Sequence, residues 1–191
     1  KNPEDDLNKN ILGTFNLINW CNENKVKRII YASTFNVYEE NFKKPVLSES
    51  DKCGSKSLYS ISKLTAENYV QVYCNYLGIK WNILRMFNVY GPGQDSKNNF
   101  LGMISIFLNM AKKTSEIKVK GSLKRFRDFI YIDDVLDAWH KVIIDRKHYN
   151  QIYNVGSGKK TTLKVLFKKI SSVLGKKIKI KEEKGTPGDF L

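Results

Sequence analysis

Apolar residues recur at helical spacing through residues 57–77, SLYSISKLTAENYVQVYCNYL, with no Pro or Gly to interrupt them. They form two stripes. Leu58, Ile61, Thr65, Tyr69, Val72 and Tyr76 make one; Ala66, Val70, Cys74 (or Tyr73) and Leu77 make the other. A helix apolar on two sides is expected to be buried on two sides. One side suits a sheet; the other suits either a partner subunit or a second element of the same chain. Upstream, Pro3 precedes Glu4, Asp5 and Asp6, and Leu7, Ile11, Phe15 and Ile18 then follow along one face. Proline in the first turn and acids at the positive end predict a helix over 3–21. The short runs at 27–33 (KRIIYAS) and 80–86 (KWNILRM) read as strands buried on both faces. Residues 41–56, polar and punctuated by Pro45 and Gly54, read as a loop.

Helix, strand, helix, strand is the alternation of a parallel sheet covered by helices, an α/β fold. After Gly91-Pro92-Gly93 the texture changes. The pattern predicts a helix over 100–112, a strand over 117–120, a basic loop over 121–127 and a strand over 128–132. Asp133 or Asp134 then caps a helix running to about Asp145. A strand over 152–155, a helix over 162–174 and a strand over 178–180 complete the chain. The second half reads as a smaller α+β unit interleaved with the first. We divide the chain at residues 1–93 and 94–191, with elements of the second part returning to the first sheet.

The 191 residues carry a formal charge of +14. Charge of that size raises the question of nucleic acid. No helix-turn-helix, zinc finger or aromatic RNA-binding strand accompanies it, so a nucleic-acid partner is not expected. A polyanionic small molecule such as a nucleotide accounts for a basic cleft equally well. Two His and three Cys without ligand spacing speak against a metal site. Cys21, Cys53 and Cys74 suit reduced thiols in a cytoplasm. No apolar run approaches the ~20 residues that span a bilayer. The chain starts without Met and stops abruptly, which we read as a piece of a longer protein.

Tyr59 and Lys63 sit four residues apart near the start of the 57–77 helix. That offset leaves two side chains on one face, about 6 Å apart along the axis. A phenol beside an ammonium can serve as a proton-transfer group, and the cation is expected to lower the phenol from its ordinary value of about 10. The spacing alone is common in a Lys-rich chain; Tyr76 and Lys80 repeat it. Gly78 lies between those two at the expected C-terminal cap, so they are not expected to share a face.

Five segments supply context: YASTFNVY (31–38), YSISK (59–63), LRMFNVYGPGQ (84–94), RDFIYIDDV (127–135) and YNVGSG (153–158). In this order and spacing the chain resembles the extended short-chain dehydrogenase/reductases, specifically the NAD-dependent nucleotide-sugar epimerases and dehydratases. The resemblance spans nearly the whole chain. It implies the C-terminal part of a Rossmann-type doubly wound parallel sheet with a smaller interleaved α+β substrate-binding region. The implied catalytic residues are Thr34, Tyr59 and Lys63. The implied cofactor is NAD, held by Asn10, Ser33, Tyr59, Lys63 and Phe87.

A nucleotide-diphosphate sugar, a UDP-sugar first, would be held by Thr34, Asn88, Asn99, Lys118, Val119, Lys120, Arg127 and Asp189. Arg127 matches an arginine that pairs with the diphosphate, whereas Arg125 reads as part of a solvated basic loop. The family's second diphosphate arginine is replaced by Thr186. A homodimer through the helices at 5–21 and 57–77 is a further implication. Dehydratase relatives follow the catalytic Thr with an acid; Phe35 and Asn36 stand here instead, which favours a redox-only epimerisation at carbon 4. The family's G-x-x-G-x-x-G turn is absent from these 191 residues, so the chain alone is expected neither to bind NAD tightly nor to turn over. Gly156-Ser157-Gly158-Lys159-Lys160-Thr161 lacks the leading Gly and the Ser or Thr of a triphosphate loop and reads as a turn into the following helix.

Overall fold

A computed structural model describes residues 2–39, 46–54, 57–94 and 102–183. The chain divides into two compact units, residues 1–87 with 136–155, and residues 88–135 with 156–191.

In the first unit, β1 (Arg28–Thr34), β2 (Lys80–Met86) and β6 (Gln151–Val155) form a parallel sheet in the order β1-β2-β6. Ala32 lies opposite Leu84 and Met86 opposite Val155, so the C-terminal ends of the three strands are level. This is the expected α/β arrangement. The helix expected over 3–21 is three contiguous segments: α1 (Pro3–Asp6), a π-helical stretch (Leu7–Leu12) and α2 (Gly13–Glu23). The Asn2 side chain caps it, accepting from the Glu4 amide at 3.2 Å.

α3 (Leu58–Leu77) starts where Ser57 accepts from the Ser60 amide (3.1 Å) and ends at Gly78, whose φ of 70° completes a left-handed cap. Gly78 therefore separates Tyr76 from Lys80, which belongs to β2. Ile18, Cys21, Ile29, Val70, Cys74, Ile79, Trp81 and Ile83 make the core of this unit. The Ala66–Val70–Cys74 stripe of α3 is sealed in it, as expected.

One expectation fails here, and another is met only in part. The other stripe of α3 is open: Leu58, Ile61, Tyr69, Val72 and Tyr76 are all exposed, Tyr76 at 82%. Phe15 meets its Tyr69 edge to face at 6.2 Å, but among the described residues no second element buries the stripe, and the partner-subunit alternative stays open. β1 is not buried on both faces either: Ala32 is exposed and Arg28, Ile30 and Tyr31 are only half-buried. Only β2 pairs with β1 among the described residues, whereas β2, between two strands, is buried from Trp81 to Arg85.

In the second unit, β3 (Asn88–Tyr90) pairs in parallel with β5 (Phe126–Tyr131), and β5 runs antiparallel to β7 (Lys160–Thr162). β4 (Glu116–Lys120) and β8 (Lys179–Glu183) form a parallel pair. α4 (Met103–Thr114) and α6 (Leu163–Leu174) pack on a core of Ala111, Ile117, Val119, Leu163, Leu166, Phe167 and Ile170. Phe107 meets Phe167 edge to face at 4.9 Å. Thr162 is the cap of α6, accepting from the Val165 amide, and not its first residue. α5 starts at Ile132 (Ile132–Ile144), so Asp133 and Asp134 lie in its first turn and not at its cap. There they still favour the positive helix end. The "basic loop" is shorter than expected because β5 already begins at Phe126.

Candidate active site

α3 lies against β1 and the short turn after it, Phe35–Val37. Lys63 spans the gap. Its amine donates to the Ala32 carbonyl at 2.6 Å and stands 4.1 Å from the centre of the Tyr31 ring. Tyr59, one turn earlier on the same helix, is half-buried. Thr34, two residues beyond Ala32, ends β1; its hydroxyl is nearly buried and accepts from the Asn36 amide at 3.3 Å, capping the turn. The three implied catalytic side chains thus belong to the facing elements β1 and α3 of one unit.

Electrostatics run against one expectation. Burial raises the Tyr59 phenol above its ordinary value, and the Asp6 carboxylate raises it further. Burial in turn lowers the Lys63 amine to about 8, against the pull of Glu67. Removal from water governs both groups, so the expected depression of Tyr59 is not present.

Behind this pair lies a polar cluster that the sequence reading did not single out. Glu67, fully buried, receives the Arg85 guanidinium (Nη2–Oε2, 2.7 Å; Nε–Oε1, 3.1 Å) and the Ser33 hydroxyl. Arg85 also donates to the Glu49 carbonyl at 3.3 Å and stacks 4.8 Å over the Tyr38 ring. The Tyr38 hydroxyl donates to Asn154 at 2.7 Å, and the Glu49 carboxylate accepts from the Asn154 amide at 2.7 Å. One buried ion pair therefore ties β1, β2, β6, α3 and the 46–54 segment together. Two signals for it stood in the sequence: an acid eight residues after Tyr59 on the same helical face, and an Arg inside an otherwise apolar strand.

Of the residues implied for the cofactor, Ser33 gives its hydroxyl to Glu67. Asn10 projects from the π-helical stretch and donates to the Ser62 hydroxyl at 2.9 Å, while Ser62 donates to the Tyr59 carbonyl at 2.8 Å. Asn10 therefore braces the turn that carries Tyr59. Phe87 stacks on Phe35 with ring centres 5.0 Å apart and planes 15° from parallel.

The residues implied for the sugar nucleotide lie mostly in the second unit. The Asn88 amide donates to the Asp128 carbonyl at 3.0 Å. Arg127 donates to the Phe126 carbonyl at 2.8 Å. The Asp128 carboxylate is gripped by the 156–158 turn, accepting from the Ser157 amide (2.9 Å), the Ser157 hydroxyl (2.6 Å) and the Gly158 amide (2.8 Å). That turn, whose sequence hinted at a phosphate loop, closes on an internal anion. Lys118 and Lys120 are exposed, but Val119 has no exposure. Arg125 is not solvated: it is nearly buried and donates to the Ser122 and Lys120 carbonyls. Asn99, Thr186 and Asp189 fall outside the described residues. Among the described residues no cluster of His, Cys, Asp and Glu could hold a metal ion.

Residues 1–156 match the family described as NAD dependent epimerase/dehydratase. The chain is 33% identical over 179 residues to dTDP-4-dehydro-6-deoxyglucose reductase of Escherichia coli, covering 93% of this chain and 55% of the reductase. Two solved structures superpose closely. UDP-glucose 4-epimerase of Thermotoga maritima with UDP-glucose gives a TM-score of 0.90 at 31% identity, over 98% of this chain and 60% of that one. The Thermus thermophilus UDP-glucose 4-epimerase complex with NAD gives 0.85 at 30%, over 96% and 60%. The chain spans a little over half the length of the curated relatives it matches.

Proposed function

This chain belongs to the NAD dependent epimerase/dehydratase family, and we propose that the full-length protein epimerises carbon 4 of a nucleoside-diphosphate sugar, a UDP-sugar first, through a transient 4-ketone. The observation that carries this reading is the Lys63 amine seated on the Ala32 carbonyl, on the α3 face that also bears Tyr59 and two residues from Thr34. NAD is the cofactor of the family, and the residues present suit its reacting half. Lys63 is a donor for ribose hydroxyls, and the parallel Phe35–Phe87 rings offer a flat apolar surface. When bound, NAD would supply the hydride acceptor and donor for carbon 4.

In this reading Tyr59 removes the proton of the 4-hydroxyl, and Thr34 donates a hydrogen bond to the same oxygen as its charge changes. Lys63 orients the ribose and favours the Tyr59 phenolate once positive charge gathers beside it. Asn10 and Ser33 hold the surrounding backbone. Asn88 and Arg127 take the diphosphate, for which a planar guanidinium is suited; Asn99, Lys118, Val119, Lys120 and Asp189 take the nucleotide side. The chain by itself lacks the glycine-rich turn for the cofactor's pyrophosphate, so we propose that it is inactive alone.

The exposed Leu17, Trp20, Ile61, Val72 and Tyr76 on α2 and α3 support a second copy of the chain as the partner. Sedimentation of the full-length protein tests this: a monomer at all concentrations removes the dimer. No helix among the described residues is long and apolar enough to cross a membrane. The three unpaired thiols support a cytoplasmic setting.

Incubation of the full-length protein with UDP-glucose and NAD, followed by resolution of the sugars, tests the reaction. A 4-epimer supports it. A 4-keto-6-deoxy sugar moves the protein to the dehydratases, and a reduced deoxysugar to the reductases. Phe35 favours the epimerase over the dehydratase, because it fills with hydrocarbon the position where dehydratase relatives place an acid. Absence of turnover and of cofactor binding in the full-length protein leaves a binding or dimerisation module.

A further inference from the structure

The Tyr31 side chain occupies a place the proposed chemistry does not use. Its ring face lies 4.1 Å from the Lys63 nitrogen, well inside the ~6 Å reach of a cation–π attraction. The adjoining residue, Ala32, supplies the carbonyl that accepts from the same amine at 2.6 Å. The far end of the ring adds little: the Tyr31 hydroxyl is buried, and among the described residues no group bonds it well. Burial pushes that phenol up to about 12; the Thr14 hydroxyl opposes the rise, and Glu67 and Tyr59 add to it. A buried hydroxyl so poorly bonded contributes little stability, so what Tyr31 provides here is its ring.

We propose that Tyr31 is a positioning residue: the face of its ring seats the Lys63 ammonium against the Ala32 carbonyl and so fixes where the amine is presented at the end of β1. The seat stands on this geometry; only its consequence for turnover rests on the reaction proposed above.

A lysine side chain has about 2 kcal/mol of rotamer entropy to lose when held in one place. A fully bonded carboxylate would hold it tightly but would also consume its donors. The ring and one carbonyl hold the amine while using a single N–H bond among the described residues, which leaves donors for a ligand. The charged and titratable groups around Lys63 are Tyr31 from β1, and Tyr59 and Glu67 from α3. Asp6 acts on Tyr59. Glu67 is the carboxylate whose field reaches the amine, but its oxygens are bonded to Arg85 and Ser33. The ring therefore joins the Ala32 carbonyl in favouring the charged amine, without a bonded carboxylate beside it.

The test is competitive trace acetylation of the full-length protein from about pH 6 to about pH 11, read on the Lys63 peptide. Tyr31→Leu removes the ring, Tyr31→Met keeps more volume should the Leu variant fold poorly, and Tyr31→Phe keeps the ring without the hydroxyl. Loss of the ring should lower the Lys63 midpoint by roughly half a unit to one unit. It should also reduce kcat about 3- to 10-fold, with KM for the sugar nucleotide unchanged. Tyr31→Phe should restore both values and melt at or above the wild-type temperature. A wild-type Lys63 midpoint in both Tyr31→Leu and Tyr31→Met overturns the seat, as does Tyr31→Phe losing as much as Tyr31→Leu. A shifted midpoint in a protein with no epimerase activity upholds the seat and removes the reaction.

Discussion

The two units bury different kinds of interior. In the first, a fully buried Glu67 grips Arg85, and the polar residues Ser33, Tyr38, Asn82 and Thr34 are buried in the same unit with exposures below 9%. Asn82 accepts from Arg28 at 2.6 Å and donates to the His148 carbonyl at 3.0 Å. In the second, the core from Ala111 to Ile170 is aliphatic side chains and the Phe167 ring, and the bonded polar groups Arg125, Asp128 and Asn88 stand outside it. A hydrocarbon core is satisfied by volume and forgives small changes of shape. A bonded polar core fixes direction as well as distance, and each missing partner leaves a desolvated charge. The unit that carries Tyr59, Thr34 and Lys63 is the one with the directional interior.

That contrast can be broken experimentally, beginning where the effect should be largest. Tyr59→Phe in the full-length protein should leave folding intact while kcat falls about 10²- to 10⁴-fold; an unchanged rate would assign the proton transfer to another side chain. Next, Glu67→Ala should cost about 3–5 kcal/mol in urea unfolding, because it strands the Arg85 charge. A Glu67→Leu, Arg85→Leu double variant should recover much of that loss, and failure to recover would mean the pair matters through packing alone.

In the second unit, Asp128→Ala should cost about 1.5–3 kcal/mol, since three donors lose one charged acceptor. Ile117→Val, in its hydrocarbon core, should cost only ~0.5–1.5 kcal/mol. A larger cost for Ile117→Val than for Glu67→Ala would reverse the ranking of the two interiors.

The smallest effect is a slope. Lys63 titrates at about 8 in the folded protein and near 10.4 unfolded. Between those values the unfolded chain holds a proton that the folded one lacks, so this group makes stability rise with pH. Its penalty is complete below about pH 8 and gone above about 10.4. Tyr31 works oppositely above about pH 10, its folded value being about 12. Lys63→Met should remove only the rising part, which paired denaturation curves at successive pH values would reveal.

Much of this was legible from residues. β2 was readable because it is a short run of strand formers whose five consecutive positions Trp81 to Arg85 are all buried, and α3 because Ser57 and Gly78 punctuate an unbroken period. The three-residue strands β3 and β7 were not readable, since so short a run carries no periodicity. The π-helical stretch has no pattern of its own either, yet it aims Asn10 at Ser62. The Tyr59–Lys63 pair was found from spacing, but the direction of the Tyr59 shift was not, because spacing reports proximity and says nothing of desolvation. Arg125 was misjudged for a related reason. A cation in a basic stretch looks solvated until the carbonyls that surround it are placed.

The 156–158 turn carries a last consequence. Its amides would suit an incoming phosphate, but they already hold a carboxylate delivered by the adjacent strand of the same chain. A dissolved anion would have to outcompete a tethered one at very high local concentration. The turn therefore works as a latch: it pins β5 immediately beside Arg127, so loosening Ser157 should be felt as a misdirected guanidinium before it is felt as lost stability.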